Sequence, residues 1–417
     1  MDSVKFCLES TLKHAGWTAA CAVLLGAALL PQPAAAQDGP LAPFQLRLLN
    51  AHSWDTNVFR LPAGAPDPQL AQGNAGKADR YSALTYGLRF DQRYSQQRFL
   101  VDLSRTETRY DKFASLDRDA FNHRGQWDWR LGSRLSGTLG AERSGGVIDF
   151  EDTAGVQQIT TRNSNRNFSL DGWLTGGWHV LAGVSDSERE NSAAFAATPS
   201  STQRNAEIGL SYIATSGSAV TFTSRSSRGT NTGQAVNFVT FIDSGFTVRE
   251  NELKVTWIAS AKSTLNARLT LIERRHEHVP QRDFSRFAGE LGYAWKPTGK
   301  LGINASARRN VAPWTADTSA SFRTDDTLSI APSWQVASHT TLRMSASRQT
   351  SSFGGPVVPV AGPLRRDVLR SVQVGADWLP HRSVTLSATL RRDQRSSTDD
   401  LLKFSATVAN VTAALTF

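Results

Sequence analysis

The sequence predicts an all-β fold, a transmembrane antiparallel up-and-down β-barrel of about eighteen strands; about sixteen strands would also be compatible with the pattern. Three observations support this class. Apolar and polar residues alternate over strand-length segments, as they do where the two faces of a strand meet different surroundings. Short turns alternate with long polar segments along the chain. A tryptophan recurs beside the short turns, as in the aromatic girdle of an outer-membrane barrel.

The repeating unit is clearest in residues 374–391. Trp378 closes a first strand, Pro380 marks a hairpin turn predicted at Leu379–Arg382, and alternation resumes from Val384. A period of this length also fits propeller blades, but each period here holds two long strands instead of four, which favours a barrel. The other examples of this turn are preceded by Trp257, Trp295 and Trp334, and these three tryptophans and Trp378 are spaced 38, 39 and 44 residues apart.

The first 36 residues resemble a secretory signal peptide. An apolar run over residues 15–30 follows a basic start, and three alanines end at Ala36. We place the cleavage between Ala36 and Gln37, so that residues 37–417 form the barrel. The exported chain would then contain no disulfide, and its stability would come from a closed hydrogen-bonded sheet. Both cysteines of the sequence lie in the leader, at Cys7 and Cys21.

Composition fits the same class. The chain has 417 residues, of which 40% are hydrophobic, and its mean hydropathy is −0.33. A membrane barrel gives such values because only every second strand residue meets lipid. Outside the leader, no apolar run approaches the ~20 residues of a helical span. The net charge of +9 suits an acidic polymer or anionic lipid, and export to the cell envelope argues against nucleic acid as a partner.

Turns and loops divide the chain into hairpins. The first strand is predicted over residues 44–59 and a long outer loop over residues 60–80. Short turns are predicted near Arg93–Gln97, Leu131–Ser133, Thr175–Gly177, Thr215–Ser218, Ser260–Ser263, Pro297–Lys300, Ala337–His339 and Leu379–Arg382. Longer polar segments are predicted near residues 111–121, 148–165, 187–203, 227–247, 275–284, 310–320, 350–367 and 393–401. This alternation indicates periplasmic turns and extracellular loops.

A barrel of this width holds water, so its inward side chains should be polar. Alternation assigns Leu269, Ala305 and Leu342 to the lipid face and their polar neighbours to the lumen. An arginine facing lipid at the midplane would cost roughly 2–4 kcal/mol, which supports this assignment. The candidate lumen-lining residues are Arg268, Arg308, Arg343 and Arg391.

Further basic residues cluster where ascending strands reach the outer loops. One interpretation is that they guide an anionic polymer through the lumen and its rim. The other is that they bind anionic lipopolysaccharide or are solvated charges, and the sequence leaves both open. The cluster comprises Arg274, Arg275, Arg308, Arg309, Arg348, Arg391 and Arg392.

The last segment, residues 404–417, predicts a final amphipathic strand. It resembles the final strand of bacterial outer-membrane barrels, which ends in an aromatic residue that the barrel-assembly machinery recognises. We therefore expect that machinery as a partner. The residues on the recognised face are Val411, Ala413, Leu415 and Phe417.

No motif in the sequence predicts catalysis, and we expect neither enzymatic activity nor a cofactor. The GxSxG, P-loop and dinucleotide-binding patterns are absent from the sequence. His276 and His278 lie in a predicted outer loop without a cysteine, which is more typical of a solvated loop than of a metal site. The neighbouring acids Asp325 and Asp326 would point to opposite faces of a strand, as poor partners for acid–base chemistry.

A motif follows the first strand and carries a family resemblance. It reads D-x-N-V-F-R-L, and it is followed by strand-like stretches at residues 86–113 and 125–140. Together these resemble the EpsL-type family of outer-membrane β-barrel proteins, which are associated with exosortase-linked exopolysaccharide loci. The resemblance extends along essentially the whole mature chain and implies a role in exopolysaccharide biosynthesis or export, without catalytic residues. The motif residues are Asp55, Asn57, Val58, Phe59, Arg60 and Leu61.

From the residues alone, Asp55 and Asn57 either line the lumen near its outer mouth or cap the strand and order the first loop. We expect a passive conduit for an exopolysaccharide chain in the outer membrane of a Gram-negative bacterium, driven by synthesis or by periplasmic or inner-membrane export partners. One alternative is a general or sugar-uptake porin with a constriction near residues 227–247. The other is a structural protein whose loops anchor surface polysaccharide.

Overall fold

The computed structural model describes residues 43–417 except residues 71, 72, 75, 149, 151–157, 194–196 and 198. The predicted signal peptide and its cleavage position at Ala36 and Gln37 lie outside the described residues. Nearly all of the described chain is antiparallel sheet, and its only helical segments are short 3₁₀ turns at Ala114–Leu116, Pro280–Arg282 and Asp400–Leu402. No helix among the described residues has the length and apolar character needed to cross a membrane.

The described strands are long, and most have twelve to sixteen residues. They are β1 (Phe44–Asp55), β2 (Gln69–Leu70), β3 (Gly73–Asn74), β4 (Asp79–Tyr94), β5 (Gln97–Tyr110), β6 (Arg118–Leu131), β7 (Leu135–Val147), β8 (Thr160–Thr175), β9 (Trp178–Asn191), β10 (Ser201–Ile213), β11 (Ala219–Asn231), β12 (Gly245–Ser260), β13 (Ser263–His276), β14 (Phe284–Trp295), β15 (Leu301–Pro313), β16 (Phe322–Ala337), β17 (Thr340–Gly354), β18 (Arg366–His381), β19 (Val384–Ser397) and β20 (Phe404–Thr416).

Eighteen of these strands form one closed barrel, which confirms the predicted fold class. Each barrel strand pairs with its neighbour along the chain, and β1 pairs with both β4 and β20. At this closing seam, the Leu46 N–H donates to the Phe417 carbonyl oxygen at 3.0 Å, and the Phe417 N–H donates to the Leu46 carbonyl oxygen at 2.9 Å. Strands β2 and β3 form a separate short hairpin in the first outer loop.

The outer ends of the strands extend further than the sequence predicts. Strand β12, for example, begins at Gly245 and β19 continues to Ser397, because ladder hydrogen bonding persists into segments that the sequence pattern assigned to loops. The first strand is shorter than predicted and ends at Asp55, where a tight turn begins. Because the strands continue into the rim, the outer loops that connect them are compact.

The turn predicted at Leu379–Arg382 overlaps the observed turn only at Arg382. Strand β18 continues through Pro380 to His381, and the turn follows at residues 382–383. The ladder shifts register between Trp378 and His381. A bulge leaves one residue unpaired, so the missing N–H of a proline is tolerated there. The other seven predicted short turns coincide with, or overlap, turns between consecutive strands.

The outer surface of the wall is apolar. Leu269, Leu291 and Met344 are about half exposed, on the strand face opposite to that of their polar neighbours. A row of exposed aromatic rings lies beside the short turns, as predicted, and includes Trp257, Trp295, Trp334 and Trp378. An apolar band bounded by aromatic rings is the surface that a transmembrane barrel presents to lipid.

Candidate functional site: the lumen wall and its outer mouth

The inner wall of the barrel carries opposite charges in rows. Arg268 on β13 and Arg308 on β15 both donate to Glu290 on β14, with Nη2···Oε2 and Nη2···Oε1 distances of 3.1 and 2.8 Å. The strand register explains the row, because Arg268 lies opposite Glu290 and Glu290 lies opposite Arg308. Two of the four predicted lumen arginines therefore share one carboxylate.

The other two predicted arginines are paired separately. Arg343 Nη2 lies 2.5 Å from Asp377 Oδ1, which also accepts a hydrogen bond from the Ser387 hydroxyl at 2.7 Å. Arg391 Nε lies 3.0 Å from Asp393 Oδ2. All four predicted arginines face inward, but the structure does not gather them into one basic patch. Each of them contributes to a compensated pair or row.

Pairs that the sequence pattern did not identify continue this wall. Arg225 on β11 connects Glu207 on β10 and Glu250 on β12, at 2.7 and 2.8 Å. Arg47 on β1 donates to both carboxylate oxygens of Asp102 on β5, at 2.5 and 2.6 Å. The polar character of these inward positions was readable from the alternation. Their pairing was not, because it depends on the register between neighbouring strands.

Between the charged rows the wall is neutral and polar. Strand β8 alternates outward side chains with an inward series of amides and hydroxyls, and β10 continues it. Asn205 Nδ2, for instance, donates to the Ser185 hydroxyl at 2.9 Å, and Gln203 Nε2 donates to Asn205 Oδ1 at 2.7 Å. The inward series on β8 is Asn163, Asn165, Asn167 and Ser169, and it ends at the carboxylate of Asp171, which contacts the His179 ring.

The predicted cluster of basic residues at the rim is divided between the two faces. Consecutive arginines in a strand point to opposite sides, so one member of each pair faces the lumen and the other faces outward. Arg309, for example, faces outward and is paired with Asp326 on β16, with N···O distances of 2.7 and 2.9 Å. The inward members are Arg274, Arg308 and Arg391, and the outward members are Arg275, Arg309 and Arg392, with Arg348 also outward.

The motif at residues 55–61 forms a closed turn at the end of β1. Asp55 accepts hydrogen bonds from the Arg60 guanidinium and from the Asn57 N–H, both at 2.8 Å. The Asn57 side chain binds the Leu61 N–H and carbonyl group at 3.0 and 2.8 Å, and also reaches the Ser405 carbonyl oxygen at 3.2 Å. Arg60 adopts a left-handed backbone with φ of 56°. This geometry corresponds to strand capping and loop ordering.

The apolar part of the same motif anchors the first outer loop. Val58 and Phe59 are buried in a cluster with Phe113 and Leu116. The Phe59 ring lies 4.8 Å from the Phe113 ring and 5.1 Å from the Phe150 ring, between centroids. The first loop is therefore packed against the next two loops of the mouth.

A second group of outer loops is held together by one buried arginine. Arg282, in the β13–β14 loop, is 1% exposed, and its guanidinium makes five hydrogen bonds to backbone carbonyl oxygens. A guanidinium has five N–H donors, so this arrangement uses its full capacity. The acceptors, at 2.6 to 3.3 Å, belong to the β11–β12 and β15–β16 loops: Thr240, Phe241, Trp314, Asp317 and Ala320.

Asp243 supports the same loop group from the other side. Its carboxylate accepts from the N–H groups of His278 and Val279 at 2.6 and 2.9 Å and from the Gly245 N–H at 3.1 Å. Burial alone would raise the pKa of Asp243, but the hydrogen bonds from His278 and from the backbone outweigh it and lower the pKa to about 2. His276 pairs with Asp283 instead. Among the described residues, no group of three or more potential metal ligands occurs.

The loops of this group span part of the mouth. Ala197, in the β9–β10 loop, belongs to a buried cluster with Trp314, Ala320 and Phe353. The β15–β16 loop that carries Trp314 starts six strands further round the barrel. Sequence reasoning missed this network, because neither Arg282 nor the loop carbonyls form a motif. The predicted constriction at residues 227–247 corresponds in part to the β11–β12 loop that Arg282 and Asp243 hold.

Three of the predicted assembly residues lie on the final strand, and Phe417 follows its last residue, Thr416. Val411, Ala413 and Leu415 lie opposite His52, Asn50 and Leu48 of β1, respectively, and Phe417 is exposed.

The closed sheet, the apolar outer band with its aromatic rings and the polar, water-accessible interior together define a transmembrane β-barrel of the outer-membrane class, located in the outer membrane of a Gram-negative bacterium.

Several solved structures have similar folds. OpdQ of Pseudomonas aeruginosa has a TM-score of 0.50 and 8% identity, over 90% of this chain and 97% of its own. OccK9 (OpdG) of the same organism has a TM-score of 0.49, 12% identity and the same coverage. The siderophore receptor PirA of that organism has a TM-score of 0.42 and 9% identity, over 89% and 80% of the chains. No family model and no curated protein matches this chain. At such identities, the likeness describes the fold.

Proposed function

We propose that this protein is a passive, non-enzymatic outer-membrane channel, and that its cargo is an exopolysaccharide chain leaving the cell. The observation that carries the proposal is the lumen wall, in which amides and hydroxyls alternate with compensated rows such as Arg268–Glu290–Arg308. Such a wall offers many donors and acceptors to hydroxyl groups without concentrating one sign of charge. The resemblance to EpsL-type proteins supports export as the direction.

The lumen wall would lower the free-energy barrier to passage of the polysaccharide, and the protein itself would supply no energy. A hydrated polysaccharide loses part of its water shell when it enters a pore, and polar wall groups replace those hydrogen bonds. Compensated charge rows also orient water without trapping a neutral or weakly acidic chain, as an uncompensated row would do. Directed movement would come from synthesis or from periplasmic and inner-membrane partners.

The experiment is single-channel recording of the purified protein in planar bilayers, with and without the polysaccharide of its own host. We expect a stable conductance that the polymer reduces from the periplasmic side. A conductance that the polymer does not affect, while a small sugar does, would contradict export.

A second candidate function, uptake of small sugars or other small solutes, is favoured by the outer loops. The network around Arg282 and the cluster that contains Ala197 narrow the mouth from the extracellular side. A narrowed mouth suits a small solute better than a polymer.

A deletion strain distinguishes the candidates. Loss of secreted polymer with periplasmic accumulation supports export, and slow growth on a small sugar supports uptake. Polymer that is released but no longer attached to the cell would support the anchoring role instead.

A further inference from the structure

Three arginines face the lipid side of the barrel at its outer edge. Arg348 on β17, Arg370 on β18 and Arg392 on β19 share the strand face of the apolar residues Met344, Val374 and Leu390, and all three are exposed. Arg348 lies nine residues beyond the short turn at residues 338–339. A strand tilted as in other barrels places it about 23 Å above that turn, near the top of an apolar band of about 25 Å.

The register brings these like charges together. Arg348 lies directly opposite Arg370, and Arg392 lies opposite Val372, which places it diagonally beside Arg370. Side chains that face each other directly have Cβ atoms about 5 Å apart, and diagonal neighbours are about 7–8 Å apart. Like charges at these positions destabilise a sheet unless an anion compensates them.

The residues that the structure describes supply no such anion. Within the described chain, none of the three arginines has a hydrogen-bond or ion-pair partner, in contrast to the inward arginines of the same strands. The outward acid on the adjoining strand β16 is Asp326, and its carboxylate is bidentate to Arg309. The inward-facing carboxylates of Asp377 and Asp393 bind Arg343 and Arg391. The described residues therefore leave the positive charge of these three arginines uncompensated.

An apolar groove lies on the same face, between the cluster and the short turns. It has a volume of about 320 Å³ and is lined by Pro332, Trp334, Leu342, Arg343, Met344, Val374 and Gly375. Pro332 interrupts the β16–β17 ladder, since no pair joins the strands between Ile330 and Ser333. Met344 and Val374 are each four residues closer to the periplasm than Arg348 and Arg370, which is about 13 Å along the strand. The face thus combines a cationic head region with an apolar trough beneath it.

We propose that this face binds one phosphorylated lipid of the outer leaflet, the lipid A part of lipopolysaccharide. Its phosphates would be held by the guanidinium groups of Arg348, Arg370 and Arg392, and an acyl chain would occupy the groove between Trp334 and Val374. Guanidinium groups bind phosphate through paired N–H donors, which is the geometry that two adjacent arginines offer. The site lies on the outer wall and is independent of what passes through the lumen.

The test measures binding of purified bisphosphorylated lipid A to the detergent-solubilised full-length barrel by native mass spectrometry. In the variant Arg348→Gln, Arg370→Gln, Arg392→Gln, we expect the affinity to fall about tenfold or more, because charge-assisted hydrogen bonds to phosphate are lost. Heat-modifiable migration on gels confirms that the variant barrel is folded.

A matched control removes the same charge elsewhere on the outward face. Arg228 on β11, Arg249 on β12 and Arg275 on β13 are exposed and face outward, but no two of them lie directly opposite each other, and Arg249 faces Glu273. The corresponding triple glutamine variant should bind lipid A within about twofold of the unaltered protein. An equal loss in both triple variants would show that only overall charge matters and would overturn the site.

Three further ligands identify the chemistry of the site. Monophosphoryl lipid A should bind more weakly than the bisphosphorylated form. Phosphatidylglycerol that binds as tightly as lipid A would reduce the face to a general anionic-lipid surface. Inorganic phosphate that competes at the same concentration as lipid A would reduce it to an anion site without a lipid component. Either result contradicts the proposal.

Discussion

Arg282 is the residue on which the arrangement of the mouth depends most. A buried guanidinium is stable only when its donors are satisfied, and here backbone carbonyl oxygens of two other loops satisfy all five. The dependence is mutual for the carbonyl groups of Trp314 and Ala320, because these residues are buried and Arg282 supplies a donor to each. Burial lowers the pKa of Arg282, although Asp317 opposes the effect.

Replacing Arg282 with methionine should release the outer loops without opening the barrel. The buried carbonyl groups would lose their donors, at about 1–3 kcal/mol each, so the loops would separate and hydrate. We expect higher single-channel conductance and faster protease cleavage within residues 232–244 and 314–321, at unchanged heat-modifiable migration.

Lysine at position 282 is the matched variant. It keeps the charge but has three donors instead of five, so its conductance and cleavage rate should fall between those of the other two proteins. If the methionine variant conducts and resists protease like the unaltered protein, the loops are held by other contacts.

The low pKa of Asp243 predicts an acid-dependent change in the same loops. Its pKa in the closed loop, about 2, lies below the ordinary value of 3.8. Its stabilisation of the closed loop is therefore complete above pH ~4 and is lost as the pH falls towards 2. Conductance recorded between pH 6 and pH 2.5 should rise or become noisier at the acidic end.

The variant Asp243→Asn serves as the control for this effect. It cannot ionise, so its loops should be loose at every pH and the acid-dependent step should disappear. A variant that retains the full acid response would assign the response to other carboxyl groups.

At the scale of strands, each arginine described in the wall is compensated by an acid on its own strand or on a nearby strand. Glu290 on the central strand of its row holds two arginines from the strands on either side. Such partly hydrated pairs contribute little to stability, but they set the field inside the pore.

Replacing Glu290 with glutamine should therefore change ion selectivity more than stability. The variant leaves Arg268 and Arg308 without a compensating charge, so the ratio of chloride to potassium permeability should rise about twofold or more. Reversal potentials in a salt gradient measure it. Glu107→Gln is the matched control, since Glu107 lies on the outward face beside Arg105; a similar shift there would show that the lumen row is not responsible.

The strands also show which structural features could be predicted from the sequence alone. Alternation and turn spacing were sufficient for the fold class and for about eighteen strands, and they also predicted an inward direction for Arg268 and Arg343. They could not show that Arg343 is paired with Asp377, because pairing follows from register. The position of Pro380 was misjudged since a bulge accommodates it. The role of Arg282 depends on loop backbone geometry, for which no residue pattern exists.

For the whole molecule, the seam between β1 and β20 is the decisive contact, because all other pairs of barrel strands are neighbours along the chain or flank the first outer loop. Deleting residues 415–417 would remove the Leu46–Phe417 hydrogen bonds and two register pairs. We expect a lower yield of the heat-modifiable form. Deleting residues 359–361, an equally long and exposed part of the β17–β18 loop, should leave the yield unchanged. Equal yields from both deletions would contradict this role of the seam.

The seam also sets the order of events when the barrel forms. Hairpins can add to one another as soon as two consecutive strands exist, at a small loop-closure cost that is the same for each step. Only the last pairing must bring together segments about 370 residues apart, from Leu46 to Phe417. Until it forms, the sheet has two free edges that can bind strands of other chains. The risk of misassembly is therefore concentrated in one late step. Every earlier pairing joins strands that are close in sequence.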